Sequence, residues 1–457
     1  MATATRLSPL DDSFLGLEGP TAHMHVGWTA LFEPPVDGPR PSFEELRRHI
    51  DVRLCRAPRY RQRISPAPLD IDAPSWIDDP YFDISQHVLP ASSENLDQAV
   101  EDCMSRPLSR QRPLWEIRIA ERLGDGRIAV IGKAHHCMVD GIAAVELASL
   151  LLDPTPDAGP GEDDDWRPDA APQPLGRLVD GLGDKAMAPV RLARGAAKLA
   201  SSPGRLLSVP GDAPAVLGAA ARTLHPATPV EPLNQPLSAQ RRLGRVERPL
   251  NDLKQIKSSF GTKLNDVYLA ASAGAVRQLL IDRGHKPVSL KTMVPVSVRA
   301  EDEAEGFGNR ISFMFIKLPC DEPDPERRLR RIHLETSDAK QGGDPGLSEA
   351  TLKLAASAPR RVQRLVSRIM ASPRMFNLVV SNIPGPSEPM YMAGCELKEA
   401  YPVVPLAQGH TLSIGMTTVR DRACFGLYAD GKGLPDVGRV AAALERSTDE
   451  LVEAGRR

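Results

Sequence analysis

The stretch IGKAHHCMVDGIAA, from Ile131 to Ala144, carries the strongest functional signal in this chain. The residues RIAVIGKA, which overlap its start, are apolar and β-prone, so they predict a buried strand. The residues DGIAAVELASLLLD then place apolar side chains at helical spacing, with Asp140 near the helix start. His135 and His136 therefore lie where a strand is followed by a helix. Imidazole exchanges protons near neutral pH, so this position predicts a general base.

The same stretch has more ordinary interpretations. A single histidine at the end of a strand is usually structural, although a second histidine, an aspartate and a glycine at fixed spacing make a stronger signal. The spacing H-x-x-x-D also occurs among metal ligands, but neither a cysteine cluster nor H-E-x-x-H accompanies it, so we predict no metal site. Cys137 could be taken for a nucleophile, but a small buried apolar residue is the favoured interpretation.

Length and composition limit the class of protein. A chain of 457 residues suggests two to three domains, and 41% hydrophobic with 25% charged residues is typical of a soluble globular protein. The net charge of -2 gives no field that would attract nucleic acid. Six cysteines without a C-x-x-C pair predict free thiols in a reducing cytoplasm. Since no signal peptide and no apolar run of ~18 residues occurs, we expect a cytoplasmic protein without a transmembrane helix.

Composition divides the chain into three regions, 1–153, 154–236 and 237–457. The middle region is rich in Pro, Gly and Ala and changes from acidic to basic, which predicts an inter-domain connector containing helices. Its basic amphipathic segment either contacts an anionic membrane surface or packs across the two domains.

Both outer regions mix strands with helices. In the first, Ser42 and Glu45 form a capping box ahead of a helix, and PLWEIRIAERL and the strand carrying the histidines predict a hairpin joined by GDGR. In the third, LNDLKQIKSSFG and LNDVYLAASAGAVRQLLIDRG predict helices, followed by several strand candidates. This order predicts an α/β protein with mixed sheets.

Several segments resemble one enzyme family. HHCMVDG resembles the H-H-x-x-x-D-G signature of the acyl-CoA-dependent acyltransferase and condensation-domain superfamily. Other segments, in order along nearly the whole chain, look like the bacterial wax ester synthase/diacylglycerol acyltransferase family. These segments are LSPLDDSFLGLE (Leu7 to Glu18), HMHVG, Pro113-Leu114-Trp115, Asn265-Asp266, MVPVSVR ending at Arg299, Gly308-Asn309 and SNIPGP (Ser381 to Pro386).

The resemblance implies a fold and a reaction. It implies two chloramphenicol-acetyltransferase-like domains that face each other across a central tunnel, with the histidine motif at the midpoint. Acyl-CoA would enter from one side and a hydroxyl acceptor from the other, in a site that excludes water. The protein would be an O-acyltransferase that makes triacylglycerol from diacylglycerol, or a wax ester from a long-chain alcohol. Acyl-CoA would be a substrate, and no bound cofactor or metal is expected.

The resemblance also implies roles within the histidine motif. His136 would be the general base, and His135 would support the local structure. Asp140 would pair with Arg299 to hold the loop in shape, although direct contact with the histidine, as in a triad, is the alternative. Gly141 would keep the channel open beside the base, or would simply suit a helix start.

Residues elsewhere complete the expected site. Asn265 is a candidate donor to the oxyanion, with an ordinary helix N-cap as the alternative, and Asp266 is expected to be structural. Trp115 and Leu114 are expected near the tunnel, with core packing as the alternative for the tryptophan. The remaining candidates for substrate binding are Ser381 and Asn382, before the Pro-Gly-Pro turn, and Glu18 on the acceptor side.

Three rival functions stay open. The chain could be an acyltransferase of the same superfamily that takes acyl groups from a carrier-protein thioester to a polyketide or glycolipid acceptor, a non-catalytic lipid-binding protein, or a membrane-surface scaffold that acts through its basic middle segment. The LSPLD, PLW and SNIPGP segments argue against the first, and the intact histidine motif argues against the second. Between the two lipid acceptors, diacylglycerol is favoured because the Arg- and Ala-rich composition suggests an actinobacterial source. Peripheral contact with a membrane or lipid-droplet surface is expected, and contact with nucleic acid is not.

Overall fold

A computed structural model describes residues 5–68, 73–138, 151–159, 161, 165–170, 225–297, 311–341 and 360–457. Several predicted features lie outside the described residues, namely the helix that starts near Asp140 and Gly141, Arg299, Gly308-Asn309 and most of the 154–236 connector. Within the described ranges, none of the helices combines the length and the apolar composition needed to cross a bilayer.

The described strands form two six-stranded sheets and one small three-stranded sheet. In chain order they are β1 (Thr5–Arg6), β2 (His25–Glu33), β3 (Gln62–Ser65), β4 (Ser75–Asp78), β5 (Val88–Pro90), β6 (Trp115–Ala120), β7 (Ile128–His135), β8 (Arg241–Pro249), β9 (Leu290–Ser297), β10 (Ile311–Leu318), β11 (Leu378–Ile383), β12 (Tyr391–Met392), β13 (Cys395–Val403), β14 (Leu412–Val419) and β15 (Arg422–Asp430).

The helices that bear on the site and the core follow the same order. They are α1 (Pro9–Leu17), α2 (Phe43–Arg53), α3 (Leu96–Met104), α4 (Leu250–Phe260), α5 (Leu264–Asp282), α6 (Pro325–Gln341), α7 (Arg360–Met370) and α8 (Val437–Arg456). The predicted capping box is confirmed, because Ser42 Oγ accepts a hydrogen bond from the Glu45 N–H and the Glu45 carboxylate accepts one from the Ser42 N–H.

Both large sheets are mixed, as predicted. The first has the order β12-β13-β2-β7-β6-β5, and all its pairs are antiparallel except β5 with β6. The hairpin of β6 and β7 is confirmed by antiparallel pairing from Trp115 opposite Ala134 to Ala120 opposite Ala129. The second sheet has the order β10-β9-β11-β14-β15-β8, in which β11 runs parallel to both neighbours.

Helix α5 forms the centre of the C-terminal core. Nearly all its middle residues are buried, against α8 on one side and the second sheet on the other. The two helices approach closely at Gly274, where a Cβ atom would lie 2.0 Å from Ser447 Oγ. Because no side chain fits there, the small residues of AASAGA set the distance between these helices.

Two strands of the first sheet, β12 and β13, come from the far end of the chain. β13, which follows the second-sheet strand β11, pairs antiparallel with β2 from Val403 opposite Gly27 to Glu396 opposite Glu33. Adjacent to it, the short strand β12 forms the edge of the first sheet. The region boundaries at 153 and 237 stay a prediction, but the first sheet is built from both sides of the connector.

A second set of contacts joins the two sheets. Residues of α3 form an apolar cluster with Leu243 of β8, Tyr401 of β13 and Tyr428 of β15. Beside it, the buried Arg241 lies 3.2 Å from Asp430 Oδ1 and also donates to the backbone carbonyl of Thr21. The two halves are therefore joined by an apolar cluster, by the hydrogen bond from Arg241 to Thr21 and by the strands that the C-terminal half adds to the first sheet.

Candidate active site

The two histidines are held at the end of β7 by the backbone of neighbouring elements. The His135 N–H donates to the Leu114 carbonyl at 2.9 Å, and the His136 N–H donates to the Met24 carbonyl at 2.9 Å. A third bond runs from the Met138 N–H to the His135 carbonyl at 2.8 Å, which closes a turn. These bonds hold the backbone of both histidines at the end of the predicted strand.

His135 is buried and acts as a hydrogen-bond acceptor. Its Nδ1 accepts from the backbone N–H of Cys137 at 3.1 Å, so that nitrogen carries no proton and the other one, Nε2, does. Burial, and secondarily the charge of His136, lowers the pKa of His135 to about 3. A histidine that stays neutral and hydrogen-bonded to its own loop fits the predicted supporting role.

His136 lies against helix α1. The Phe14 ring stacks on the His136 imidazole with 3.8 Å between ring centroids and 9° between ring planes. Leu114 and Cys137 belong to the same apolar cluster as Phe14, so the imidazole has an apolar wall on one side. His136 itself is half-buried, in contrast to the fully buried His135.

The LSPLD segment positions that wall. Ser8 caps α1 by accepting a hydrogen bond from the Asp11 N–H at 3.1 Å, and Pro9 begins the helix, where its missing N–H costs nothing. Asp12 accepts two hydrogen bonds of 2.6 Å from the Arg360 guanidinium of α7. The segment is thus a capped helix that is anchored to α7 and presents Phe14 to His136.

Glu18, which follows α1, lies beside the same site. Its Oε2 atom accepts a hydrogen bond of 2.8 Å from Arg110 Nε and lies 3.9 Å from His135 Nε2. That second distance is too long for a hydrogen bond. The predicted contact of Glu18 with an acceptor molecule stays a prediction.

More histidines lie on the inner side of the strand. His25 faces His135 across β2 and β7, and the rings of His23 and His25 are 5.2 Å apart. Burial, with Lys133 as a further cause, holds the pKa of His25 well below its usual range. The Lys133 ammonium is itself buried and donates to the carbonyls of Cys103 and Arg106 at 2.5 and 2.9 Å. No sequence pattern predicted this group as part of the site, because its local signal is limited to the HMH of HMHVG.

Trp115 and Leu114 occupy packing positions. Trp115 is 3% exposed, donates its indole N–H to the Tyr60 carbonyl at 2.7 Å and stacks on His87 at 4.6 Å between centroids. Leu114 is 1% exposed and packs in the cluster with Phe14. Both side chains take packing positions in the described structure, as the packing alternative for Trp115 expects, and contact of either residue with a substrate stays a prediction.

Cys137 is a buried thiol. Desolvation by burial, the largest cause, raises the pKa of Cys137 well above its usual range. A thiol that stays protonated at neutral pH is a poor nucleophile. The interpretation as a small buried apolar residue is the better one.

The Asn265-Asp266 pair lies in the first turn of α5. The N-cap of this helix is Lys263, so the alternative of Asn265 as the N-cap is wrong. Asp266 is 1% exposed and accepts hydrogen bonds from the Lys263 N–H at 3.0 Å and the Thr336 hydroxyl at 2.8 Å, with His333 Nδ1 2.7 Å away. Asp266 is structural, and Asn265 is half-buried with no side-chain hydrogen bond to any described residue.

The SNIPGP segment runs from β11 to a tight turn. The Ser381 carbonyl accepts a hydrogen bond of 2.9 Å from the buried Tyr268 hydroxyl, which ties β11 to α5, whereas Asn382 is exposed. A Cβ atom at Gly385 would lie 1.9 Å from the Thr418 carbonyl oxygen, so only glycine allows the turn to lie this close to β14.

An apolar cavity lies between the two sheets. Residues of both halves of the chain line it. Part of the lining comes from Ile383, Gly385 and Pro386, so this segment contributes the residues just after Ser381 and Asn382. The other side is formed by Gly27, Trp28 and further residues of the first sheet.

Three predicted site residues lie outside the described residues: Asp140, Gly141 and Arg299. The sequence patterns also predicted neither the Phe14 wall nor the anchor between α1 and α7. Neither leaves a local signal, because each contact joins residues far apart in the chain.

Two mixed sheets, of which the first is completed by strands from the C-terminal half, and a histidine pair at a strand end define the condensation-domain class of fold. The first condensation domain of the calcium-dependent antibiotic synthetase, in complex with a substrate analogue, is similar in fold, with a TM-score of 0.61 and 16% identity over 99% of this chain and 97% of that one. The wax ester synthase/diacylglycerol acyltransferase of Marinobacter aquaeolei VT8 is more similar, with a TM-score of 0.70 and 25% identity over 99% and 100%.

The chain belongs to the wax ester synthase/diacylglycerol acyltransferase family. Models of the family's catalytic domain and C-terminal domain match residues 7–268 and 307–452. The probable diacylglycerol O-acyltransferase tgs1 of Mycobacterium tuberculosis is 32% identical over 99% of this chain and 96% of its own length. A second relative from that organism, tgs2, is 31% identical over 98% and 99%.

Proposed function

We propose that the protein transfers a long-chain acyl group from acyl-CoA to the hydroxyl of diacylglycerol, which makes triacylglycerol, with a long-chain alcohol as the alternative acceptor. The observation that carries this proposal is the half-buried His136 at the end of β7, fixed by backbone bonds and packed against Phe14. Membership of the family over nearly the whole chain supports an acyltransferase, and relatives named as diacylglycerol O-acyltransferases favour diacylglycerol.

The reaction needs one base. His136 takes the proton of the acceptor hydroxyl as its oxygen attacks the thioester carbonyl. The tetrahedral intermediate then collapses, the carbon–sulfur bond breaks, and the CoA thiolate receives the proton. No acyl-enzyme is required, and the high pKa of the buried Cys137 argues against a thiol nucleophile.

Other residues would assist. Asn265, whose amide has no described partner, is the candidate donor to the developing oxyanion. Asp140 and Arg299 would pair to hold the loop after the histidines, and Gly141 would leave room beside the base. His135 would keep the loop in shape as a neutral acceptor.

The apolar cavity between the sheets suits an acyl chain. Its lining is dominated by aliphatic side chains and proline from both halves. A chain buried there would leave its thioester in a dry site, which protects it from hydrolysis. The central tunnel implied by the family resemblance is part of this proposal.

Both proposed acceptors are lipids that reside in a membrane or a lipid droplet. Peripheral contact with such a surface is therefore part of the proposal, because neither a diacylglycerol nor a long-chain alcohol dissolves in water to a useful extent. No bound cofactor or metal takes part, and CoA arrives as a substrate.

The test is release of CoA thiol from palmitoyl-CoA by purified protein, with no acceptor, with dioleoylglycerol or with hexadecanol. Wild type and His136→Ala are compared, and lipid products are separated. We expect acceptor-dependent release that falls by ~10²–10⁴-fold in the variant, since that is the usual contribution of a general base. His87→Ala, which removes another buried histidine, is the control for loss of folding.

Each outcome separates the alternatives. Equal release by wild type and His136→Ala would remove His136 as the base. A folded protein that releases no thiol with either acceptor would favour the carrier-protein acyltransferase or a lipid-binding role.

A further inference from the structure

Helix α7, from Arg360 to Met370, is amphipathic, but its apolar face is exposed and its polar face packs against the protein. A helix on a protein surface normally has the opposite orientation. Apolar residues recur as Val362, Leu365, Val366 and Ile369, at the i, i+3, i+4, i+7 spacing of one face. Such a face normally packs on the core. Here Val362, Leu365 and Ile369 are 43%, 58% and 53% exposed.

The polar face of α7 packs inward instead. α7 contacts α1, where Arg360 makes its two bonds to the buried Asp12 and Arg364 packs over Gly16. Successive residues in a helix are 100° apart, so Arg360 and Arg364 lie opposite Val362 and Ile369. The helix is therefore anchored by its charges and presents its apolar side outward.

The helix is also strongly cationic. It contains the sequence RRVQRLVSRIM, with four arginines and no acidic residue. Arg361 and Arg368 are exposed and lie on the same edge of the apolar face, two helical turns apart, with Leu365 between them along the helix. The combination of an exposed apolar face with flanking arginines is the pattern of a helix that lies in the interface of an anionic membrane.

We propose that α7 is the surface through which the protein docks on a phospholipid bilayer that contains anionic headgroups. The apolar side chains enter the boundary between headgroups and acyl chains, and Arg361 and Arg368 contact headgroup phosphates. A protein partner or a second copy would cover the apolar residues equally well, but neither explains two exposed arginines with no acid on the helix beside them. Charge complementarity therefore favours the bilayer.

The position of α7 would bring a docked bilayer close to the candidate active site. This step of the inference rests on the proposed function. α7 holds α1 through Asp12, and α1 presents Phe14 to His136. A bilayer on the outer side of α7 would therefore lie two helix layers from the candidate base. A lipid acceptor could leave the bilayer near the site without crossing bulk water.

The docking is measured by flotation of the full chain with vesicles of phosphatidylcholine alone or with phosphatidylglycerol. We expect wild type to float with the anionic vesicles and to dissociate at high salt. The double variant Leu365→Gln/Ile369→Gln should lose at least about tenfold in partition coefficient, since less apolar surface is buried. Arg361→Gln/Arg368→Gln should lose about 30-fold at low salt and show a weaker salt dependence.

The control is Leu334→Gln, which replaces a leucine of α6 that is 62% exposed. We expect this variant to bind as wild type does, and unchanged unfolding midpoints for all variants, because the altered side chains are exposed. Wild-type binding by both α7 variants would overturn the proposal. So would a dimer of wild type that becomes a monomer in Leu365→Gln/Ile369→Gln while vesicle binding is absent, because α7 would then be a self-association surface.

Turnover is measured separately, with palmitoyl-CoA and a detergent-dispersed acceptor. The α7 variants should keep the wild-type rate there and lose activity only when the acceptor is supplied in anionic vesicles. Vesicle binding without any acyl transfer would leave the docking intact and contradict the proposed function. Acyl transfer without vesicle binding would support the proposed function and contradict the docking.

Discussion

The Phe14 ring lies flat on the His136 imidazole, with ring centroids 3.8 Å apart. The two residues belong to separate segments of the sequence, LSPLDDSFLGLE near the start of the chain and HHCMVDG at the end of β7. Their contact gives the N-terminal segment a direct role in orienting the candidate base, since a stacked ring restricts rotation of the imidazole.

Phe14→Leu should lower kcat by about 2–10-fold. The substitution keeps an apolar residue but removes the stacking, which contributes about 0.5–1.5 kcal/mol in aromatic pairs. We expect the pH profile of kcat to shift as well, because the environment of the base changes. Phe82→Leu is the matched control, since Phe82 stacks on His87, outside the candidate site. An equal effect of both variants on kcat would show that Phe14 acts only through stability.

Acid should destabilise the fold through the buried His25. Its pKa is held well below the usual range by burial, whereas in the unfolded chain it titrates near 6.5. Above pH 6.5 both states are neutral and the full stability is present. As the pH falls below 6.5, the unfolded state gains a proton that the folded state does not. The free energy of unfolding then falls by up to about 1.4 kcal/mol per pH unit, until the pH reaches the depressed pKa.

His25→Phe tests this dependence. Between pH 7.5 and pH 5.0 the variant should lose about 2 kcal/mol less unfolding free energy than wild type, measured by urea denaturation. His225→Phe, at an exposed histidine, should leave the pH dependence unchanged. The same pH dependence in wild type and His25→Phe would assign the acid sensitivity to other groups.

Arg53→Met should cost about 3–5 kcal/mol of unfolding free energy. Arg53 is buried, and its Nε donates to Asp153 Oδ1 at 3.1 Å, so the variant leaves a buried carboxylate without its partner. Arg47→Met is the matched control, because it breaks an exposed pair with Glu44 in the same helix and should cost less than about 1 kcal/mol. The unfolding free energies of both variants are measured by thermal or urea denaturation. A similar loss of stability in Arg53→Met and Arg47→Met would contradict the prediction.

Asn265→Ala and Asp266→Asn should separate function from folding at neighbouring positions. Asn265→Ala should lower kcat by about 10²–10³-fold with little change in stability, as expected for loss of an oxyanion donor. Asp266→Asn should lower the unfolding free energy by about 1.5–3 kcal/mol, because it weakens charge-assisted hydrogen bonds to Lys263 and Thr336. If Asn265→Ala unfolds the protein without a specific loss of turnover, Asn265 is structural.

Local signals predicted much of the fold. The capping box at Ser42 and Glu45, the hairpin of β6 and β7, and helix α5 all depend on residues that are close in sequence. The strands β8 and β13 were not among the predicted elements, because RRLGRVERP and CELKEAYPV carry many charges. Their pairing with β15 and β2 depends on residues far apart in the chain, and such contacts leave no periodicity to detect.

The candidate site, like the fold, could be predicted only where a local sequence motif carries it. The histidine pair was found from its own motif, whereas the neighbours of His136 were not. Phe14 has the periodicity of an ordinary core residue, and nothing local indicates that it faces a histidine. Likewise, the sequence could not decide between packing and substrate contact for Trp115, because strand alternation alone does not tell which face of a sheet meets the ligand.

The strand β13 has a consequence for any attempt to divide or recombine this protein. A protease cut in the connector would leave two fragments that still share one continuous sheet, so they should co-purify under native conditions. A chimera that exchanges the C-terminal part between relatives would also exchange the neighbour of β2, and with it one wall of the apolar cavity. The parts that can be inherited or engineered independently are therefore not the two sequence halves.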